Sequence, residues 1–524
     1  MSLQNIAIVT DTHTVLNGLI TALTLQDKLA SLDCALSIYI EQSLEPKSER
    51  QNQNAWYLVE QDLIQIFKTL GLSEDALIKH CDGNIHFGEM HKTVQADKVN
   101  LKQKFNSRAP LGVSISGVEF HHLLVQSQQK KQTIDESLVS YSLVGQLYTQ
   151  NRFMPPSHDK RSIASSVEYG IVVNAKKLQE QLTYLCDKLG ISTHQSSDLK
   201  LIKQSQVTPT YSEQALGKIN VIALGSDDSA EHFPVDFVFD TRCNMSESTI
   251  DKLSQLTWTG EIEYKVKGQE SDGCQHDIVK LNNGLAQIIQ VNKQLTIELT
   301  LLGTEQKIKD ASLADINTYL ANTFSLDTER MSWQSMTKTQ NMQCERLWST
   351  NTIDLASVTA TLNYLPMRRT AICDIIDLWL QFYPATFEEA SETYAILSAT
   401  FNQLALKYQR NLGDFESLLL LPHAENTSKG DGEYSKCYSP SLLARINLFE
   451  HTGTDYLTEQ DCIAPHAWRN LALAMSYWPK NYDPVTNNIP NVPNIISNMV
   501  QQIKAASKQA PSLGQFLSSV AKAS

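Results

Sequence analysis

The chain has 524 residues and a formal net charge of −13, from 44 Lys and Arg against 57 Asp and Glu. At about 100–200 residues per domain, that is two or three structural units. An acidic chain without a basic run is a poor ligand for nucleic acid or an anionic membrane, and 42% hydrophobic residues exclude a largely disordered chain.

Glycine is scarce, 21 residues or about 4% against a usual level of about 7%, so glycine-rich phosphate loops must be few. No run of 18 apolar residues occurs, which predicts no membrane-spanning helix. The opening residues, Met1-Ser2-Leu3-Gln4-Asn5, lack the basic stretch of a signal peptide. Nine cysteines are dispersed without a Cys-x-x-Cys pair, which predicts reduced thiols and a cytoplasmic location.

Ile6–Val9 reads as a buried first strand. Val15, Leu16, Leu19, Ile20 and Leu23 recur at helical spacing, and Ala35–Ile40 is a second apolar run that ends in Glu41. Strand, helix, strand and acidic residue outline a mononucleotide-binding βαβ unit. Gln42–Asn54 is a polar loop, and Gln61–Leu70 a helix closed by Gly71. Val118–Val125 and Gly170–Val173 read as strands. Lys176–Leu189 is an amphipathic helix with Gly190 at its C-cap.

Further along, Ile219–Leu224 and Val235–Phe239 read as buried strands, and Gly260–Lys267 and Leu285–Leu302 alternate as antiparallel strands do. From about Asp310 the pattern turns helical. Leu355–Leu421 carries long periodic apolar segments, Glu425–Pro440 is a polar loop, and Trp478–Pro493 is a connector with four prolines. Ile495–Ser507 is a last helix. Together these predict an α/β region with a parallel sheet and inserted antiparallel strands over 1–310, and a mostly helical region over 311–524.

The order of local motifs resembles the flavin-dependent tryptophan halogenases along nearly the whole chain. Ile66-Phe67-Lys68-Thr69-Leu70-Gly71-Leu72 resembles that family's Phe-x-x-Leu-Gly-Ile helix end. Gly117-Val118-Glu119-Phe120-His121-His122 is similar to its Gly-x-x-Phe-His-His segment. Tyr169–Ala175, Asp236–Thr241, and the spacing of Trp468, Pro479, Tyr482 and Pro484 have family counterparts too. The resemblance implies a flavin-monooxygenase-like, FAD/NAD(P)-binding fold: a mixed sheet with a mostly helical C-terminal region for substrate. It also implies FAD chemistry, in which reduced flavin, oxygen and halide give hypohalous acid. The oxidant crosses a tunnel to a lysine beside the indole, and a glutamate supports attack on the ring.

At position after position, the residues that would carry this chemistry are replaced. A Gly-x-Gly-x-x-Gly turn works because backbone N–H groups approach a pyrophosphate at a helix N-terminus. Here Thr10, Thr12 and Val15 stand at the three glycine positions, and Asp11 puts a negative charge beside the anion site. That predicts an ordinary β-to-α turn, and Glu41, the ribose-binding position, becomes a solvated strand end. His86 in Gly83-Asn84-Ile85-His86-Phe87-Gly88 occupies the position of the catalytic lysine. An imidazole titrates near neutrality but supplies no primary amine.

Ala356-Ser357 replaces the Gly-Asp pair on the flavin side, which puts Ser357 at the lost carboxylate. Pro366 falls at the catalytic glutamate, and Met367-Arg368-Arg369 replaces the halide-binding turn. Leu285 and Gln287 stand at the two tryptophans of the Gly-Trp-x-Trp-x-Ile-Pro signature.

His86, Glu89 and His91 hint at a metal site, but the spacing offers no further ligand, so a structural histidine and no metal are expected. If Val118–Val125 is a strand, His121 and His122 face opposite sides of it. No P-loop, His-Glu-x-x-His or Gly-x-Ser-x-Gly motif occurs.

These replacements favour a tryptophan-halogenase-like protein that lacks halogenase activity, has weak or lost FAD binding, and serves as a binding or partner protein for a small aromatic ligand or another protein. One alternative is a flavin-dependent halogenase or monooxygenase acting on an indole or other aromatic through an atypical FAD site. Another is an enzyme that reuses the cleft without flavin, with His86 as acid–base group.

Overall fold

Asn5–Asp11, Ala35–Glu41 and Phe237–Asp240 are apolar runs flanked by polar residues, and they pair in parallel as the core of a sheet. The computed structural model describes residues 4–42, 56–95, 98–107, 109–132, 137–203, 219–225, 230–242, 250–251, 256–265, 273–281, 284–291, 294–302, 314–321, 336–340, 343–344, 347–349, 351–355, 358, 367–382, 391–420, 439–455 and 463–522. They fall into two units. The first holds Met1–Asp82, Val173–Lys252 and Met342–Leu412, and the second Gly83–Val172, Leu253–Asn341 and Gly413–Ser524. Asp310, where the sequence pattern turns helical, lies outside the described residues, and the strands Met336–Gln340, Gln343–Cys344, Trp348–Ser349 and Thr352–Asp354 follow it.

In the first unit a six-stranded sheet runs Trp348–Ser349, Thr352–Asp354, Phe237–Asp240, Asn5–Asp11, Ala35–Glu41, Ser192–Ser196. All its pairs are parallel except the first. Strand alternation sends side chains to two different layers. Phe237 and Phe239 meet Trp379 of the Met367–Phe382 helix, with ring centroids 5.0 and 5.1 Å apart. Ala7, Val9 and Val238 pack against Leu199, Ile219 and Ile222 of a three-stranded antiparallel sheet.

Asn351 ties the first unit's strands together. Its Nδ2 donates to the carbonyls of Ile219 at 2.6 Å and Asp236 at 2.9 Å, and its Oδ1 accepts from the Ile219 amide. The Val15–Lys28 helix buries Leu19, Ile20 and Leu23 completely or nearly so. Each such side chain contributes about 1.5–3 kcal/mol relative to exposure. That helix packs on Gln61–Thr69, Ala175–Lys188 and Met367–Phe382. Gly71 and Gly190 end two of these helices with φ of 102° and 77°, where a side chain would be strained.

The second unit is built on a seven-stranded sheet in the order Met336–Gln340, Leu256–Lys265, Gln294–Leu302, Gly284–Val291, Cys274–Leu281, Gly88–Gln95, Lys98–Ser107. Only the Cys274–Leu281 and Gly88–Gln95 pair is parallel. Helices Leu143–Thr149 and Pro465–Ala474 pack on its Lys98–Ser107 edge, and Val492–Gln509 packs on Phe120–Gln129 and Leu143–Thr149.

Most of the expected elements form, within a few residues. Two expectations fail. Val118–Val125 is not a strand: Phe120–Gln129 is a helix, with every residue from Phe120 to Ser127 buried. A helix buried on all sides has no polar face, so its period cannot be told from that of a buried strand. The last helix expected, Ile495–Ser507, extends over Val492–Gln509, and another, Leu513–Lys522, follows Pro511. The expected loops Gln42–Asn54 and Glu425–Pro440 lie largely outside the described residues. Among the described residues, no helix is long and apolar enough to cross a membrane.

Candidate functional site

In the first unit, the turn where the resemblance places a phosphate loop joins Asn5–Asp11 to the Val15–Lys28 helix. The amides at that helix start already have an anion. Oδ1 of Asp11 accepts from the amides of His13 at 2.7 Å and Thr14 at 2.9 Å, and from the Thr14 hydroxyl at 3.1 Å. The carboxylate closes the turn that leads into the helix and lies favourably near the helix dipole. Thr10 is fully buried, its hydroxyl 2.9 Å from that of Thr14. Its side chain fills the space over Gly18, where an added Cβ would lie 3.0 Å from Thr10. Thr12 is exposed and Val15 buried.

The expected solvated strand end at Glu41 is instead an ion pair. Arg242 donates to Glu41 Oε2 at 2.8 Å and grips Asp240 with two bonds, 3.0 and 2.7 Å. Burial alone would lower the Arg242 pKa, but Asp240 and Glu41 outweigh it and hold it raised. Asp11 and Glu41 are register partners at the C-terminal ends of adjacent parallel strands, and Asp240 ends the next one. Such strand ends are where open α/β sheets bind nucleotides.

In the second unit, His86 lies on the short strand Asn84–His86, paired to Gly170. Gly88 keeps the frame for a steric reason: at φ 144°, a Cβ would come within 2.3 Å of the Asn106 carbonyl oxygen. His86 Nε2 lies 3.0 Å from His276 Nδ1. Burial pushes the His86 pKa down to about 4, against a smaller raising effect of Glu89. The ring is therefore neutral at pH 7, contrary to the titration near neutrality expected from residue type.

Register explains the company His86 keeps. Met90 pairs with Asp277 and His91 with Ile278, so alternation brings Glu89, His91 and His276 to one face of the sheet. Asn106 and Lys104, across from Glu89 and His91, share that face. Leu285 and Gln287, opposite Lys280 and Ile278, share it as well. His86, Glu89, His91, His276 and Gln287 are all at most 4% exposed. Asn106 donates to Glu89 Oε1 at 2.6 Å, and His91 Nε2 is 3.7 Å from the same oxygen. Lys280 reaches the face with its Nζ buried and without a hydrogen-bond partner, and burial, with Lys104 adding to it, lowers its pKa to about 7.

Beside the His86, Glu89 and His91 of the sequence pattern stands a further residue of ligand type. His276 is 190 residues from His86, and His86, Glu89 and His276 each bring a ligating atom within 4.8 Å of the others. Sequence spacing cannot detect a partner brought in by strand pairing. The signal that was there is His276-Asp277 inside the apolar strand Cys274–Leu281.

On the opposite face, Lys92 Nζ meets Asp277 Oδ2 at 2.7 Å and the Tyr319 hydroxyl at 3.1 Å, and Gln275 donates to the same Asp277 oxygen. Burial alone would lower the Lys92 pKa, but the Asp277 carboxylate raises it, while burial pushes the Asp277 carboxyl up.

The His121 and His122 rings lie 4.1 Å apart between centroids, tilted by 34°, and both are buried, so they do not face opposite sides of a strand. His121 Nε2 donates to the Gly453 carbonyl at 2.7 Å, and His122 Nδ1 accepts from the Asp483 amide. Burial, then the neighbouring His122, pushes the His121 pKa down to about 3. Ser357 and Pro366 lie outside the described residues. Met367-Arg368-Arg369 begins the Met367–Phe382 helix.

The comparisons agree with this architecture. The sequence profile of the tryptophan halogenase family matches residues 61–212. No curated protein matches the sequence. Solved structures with a similar fold include BrvH, a flavin-dependent halogenase from Brevundimonas sp., at 14% identity over 99% of both chains with a TM-score of 0.76. A flavin-dependent halogenase from Xanthomonas campestris matches at 14% identity over 99% of this chain and 98% of its own, with a TM-score of 0.75. A tryptophan halogenase from Shewanella frigidimarina matches with the same identity and coverage and a TM-score of 0.73.

The profile match covers residues 61–212 alone, and over that stretch the chain is similar to the tryptophan halogenase family. Over its whole length it has the flavin-dependent halogenase fold, a mixed α/β unit with a helical C-terminal region.

The family's cofactor is a poor fit to the residues at the nucleotide end. A pyrophosphate would need the amides that Asp11 holds, and would meet its negative charge. A ribose would need the carboxylate that Arg242 holds.

Proposed function

We propose that this halogenase-fold protein does not carry out flavin-dependent halogenation and works as a binding or partner protein, with a small aromatic molecule or another protein as ligand. The observation that carries the reading is the Asp11 carboxylate on the amides of His13 and Thr14, at the place where the family's cofactor needs free N–H groups. The Arg242 bridge between Glu41 and Asp240 supports it. So does the replacement of the catalytic lysine by His86, which burial keeps neutral.

FAD binding is weak or lost on this reading. The net charge of −13 disfavours nucleic acid and anionic membranes as partners. Free thiols at Cys34, Cys81, Cys186, Cys274 and Cys373 suit a reducing cytoplasm.

The test is a titration of purified protein with oxidised and reduced FAD, followed by absorbance and fluorescence. No saturable signal up to high micromolar flavin is expected. Saturation at low micromolar flavin overturns the reading and makes halogenation of indoles, with a flavin reductase supplied, the next assay.

A further inference from the structure

The histidine face of the second unit goes beyond this reading. Three side chains of metal-ligating type converge there from three strands: His86 from Asn84–His86, Glu89 from Gly88–Gln95 and His276 from Cys274–Leu281. All three are at most 2% exposed. Burying a carboxylate and two imidazoles is costly, and such groups are retained where they are hydrogen-bonded, paired or bound to a metal.

Their positions suit a metal. The two ring nitrogens stand 3.0 Å apart. Two nitrogen ligands about 2.0–2.1 Å from a tetrahedral zinc are separated by about 3.3 Å, so a shift of a few tenths of an ångström would let both bind. The carboxylate is held in place by Asn106 on Oε1, with His91 3.7 Å away on the same oxygen. Outer groups of this kind orient metal ligands and tune affinity. The remaining ring nitrogen of His86, Nδ1, is buried without a hydrogen-bond partner.

We propose that His86, Glu89 and His276 form a binding site for one divalent transition-metal ion, zinc in the first instance. Two imidazoles and one carboxylate are the donor set of mononuclear zinc sites and of iron(II) sites with open positions. Three protein ligands leave a fourth position for water or for a ligand atom. His91 and Asn106 are positioning residues for Glu89.

The test uses full-length protein stripped with EDTA, dialysed against zinc chloride and assayed for bound metal. Cobalt(II) substitution gives a spectroscopic readout. One zinc per chain is expected, with a cobalt absorption band showing nitrogen and oxygen coordination. Glu89→Gln and His276→Gln keep side-chain volume close to native, and each removes a ligand, so neither variant should retain stoichiometric zinc after dialysis. His232→Ala, at an exposed histidine, should leave binding unchanged. If folded wild-type protein retains neither metal after dialysis, or if both cluster variants bind as wild type does, the proposal is overturned. Zinc and flavin binding are read separately, so this proposal and the proposed function fail independently.

Discussion

Two regions where the resemblance places family chemistry have been rebuilt in different ways. At the strand ends of the first unit, charge is neutralised in place. Asp11 takes the helix amides, and Arg242, its side chain 12% exposed, binds Glu41 at 31% and Asp240 at 20%. On the sheet of the second unit, polar groups are sealed away. His86, Glu89, His276 and Asp277 are at most 2% exposed. The first arrangement is partly solvated, since Glu41 and Asp240 keep a fifth or more of their side chains exposed, and solvent screens their ion pairs. The second commits buried groups whose loss of a partner costs more. The difference sets the sealed polar groups of the second unit against the partly solvated ion pairs of the first.

Acid should reveal the contrast most strongly. His121 has a folded-state pKa of about 3, below its unfolded value near 6.5. Between those values the unfolded chain binds more protons than the folded one. Stability is therefore fully present above about pH 6.5 and lost progressively as pH falls toward 3, on the order of 5 kcal/mol at full amplitude for this one ring. Urea denaturation of wild type and His121→Gln from pH 7 to pH 4 checks it. The variant should lose less stability on acidification, and parallel curves would remove His121 from the account.

Next in size, Asp277→Ala leaves Lys92, its side chain 14% exposed, without its carboxylate. A loss of about 3–5 kcal/mol is expected by chemical denaturation. A loss under about 1 kcal/mol would put this pair in the same class as the Arg242 bridge and erase the contrast.

The smallest effect belongs to the first unit. Asp11→Ala should cost about 1 kcal/mol, the usual net contribution of a hydrogen-bonded side chain. It should also raise flavin affinity, if the carboxylate is what obstructs the phosphate. A cost near zero with unchanged flavin binding would mean that Thr10, Thr12 and Val15 alone prevent cofactor binding.

Much of the first unit was legible in the chain. Ile6–Val9, the helix from Val15 and the strand ending at Glu41 follow from local hydrophobic period, and they form as expected. The replaced glycines at Thr10, Thr12 and Val15 were equally plain, because a lost glycine is a local fact. The partners were not. Glu41 was expected in solvent and is bound by Arg242, 201 residues away. His121 and His122 were expected on opposite faces of a strand and lie with their rings in contact on a buried helix.

The sequence alone determined composition, the βαβ opening and the identity of each replaced residue, since these depend on neighbours a few positions apart. Tertiary structure decided which distant groups share a space. Strand register put His276 beside Glu89 and turned Lys92 and Asp277 to the other face, and packing of the Asn84–His86 strand brought His86 to His276. That choice depends on which strand lies next to which, and a period of two residues fixes only the face, not the neighbour.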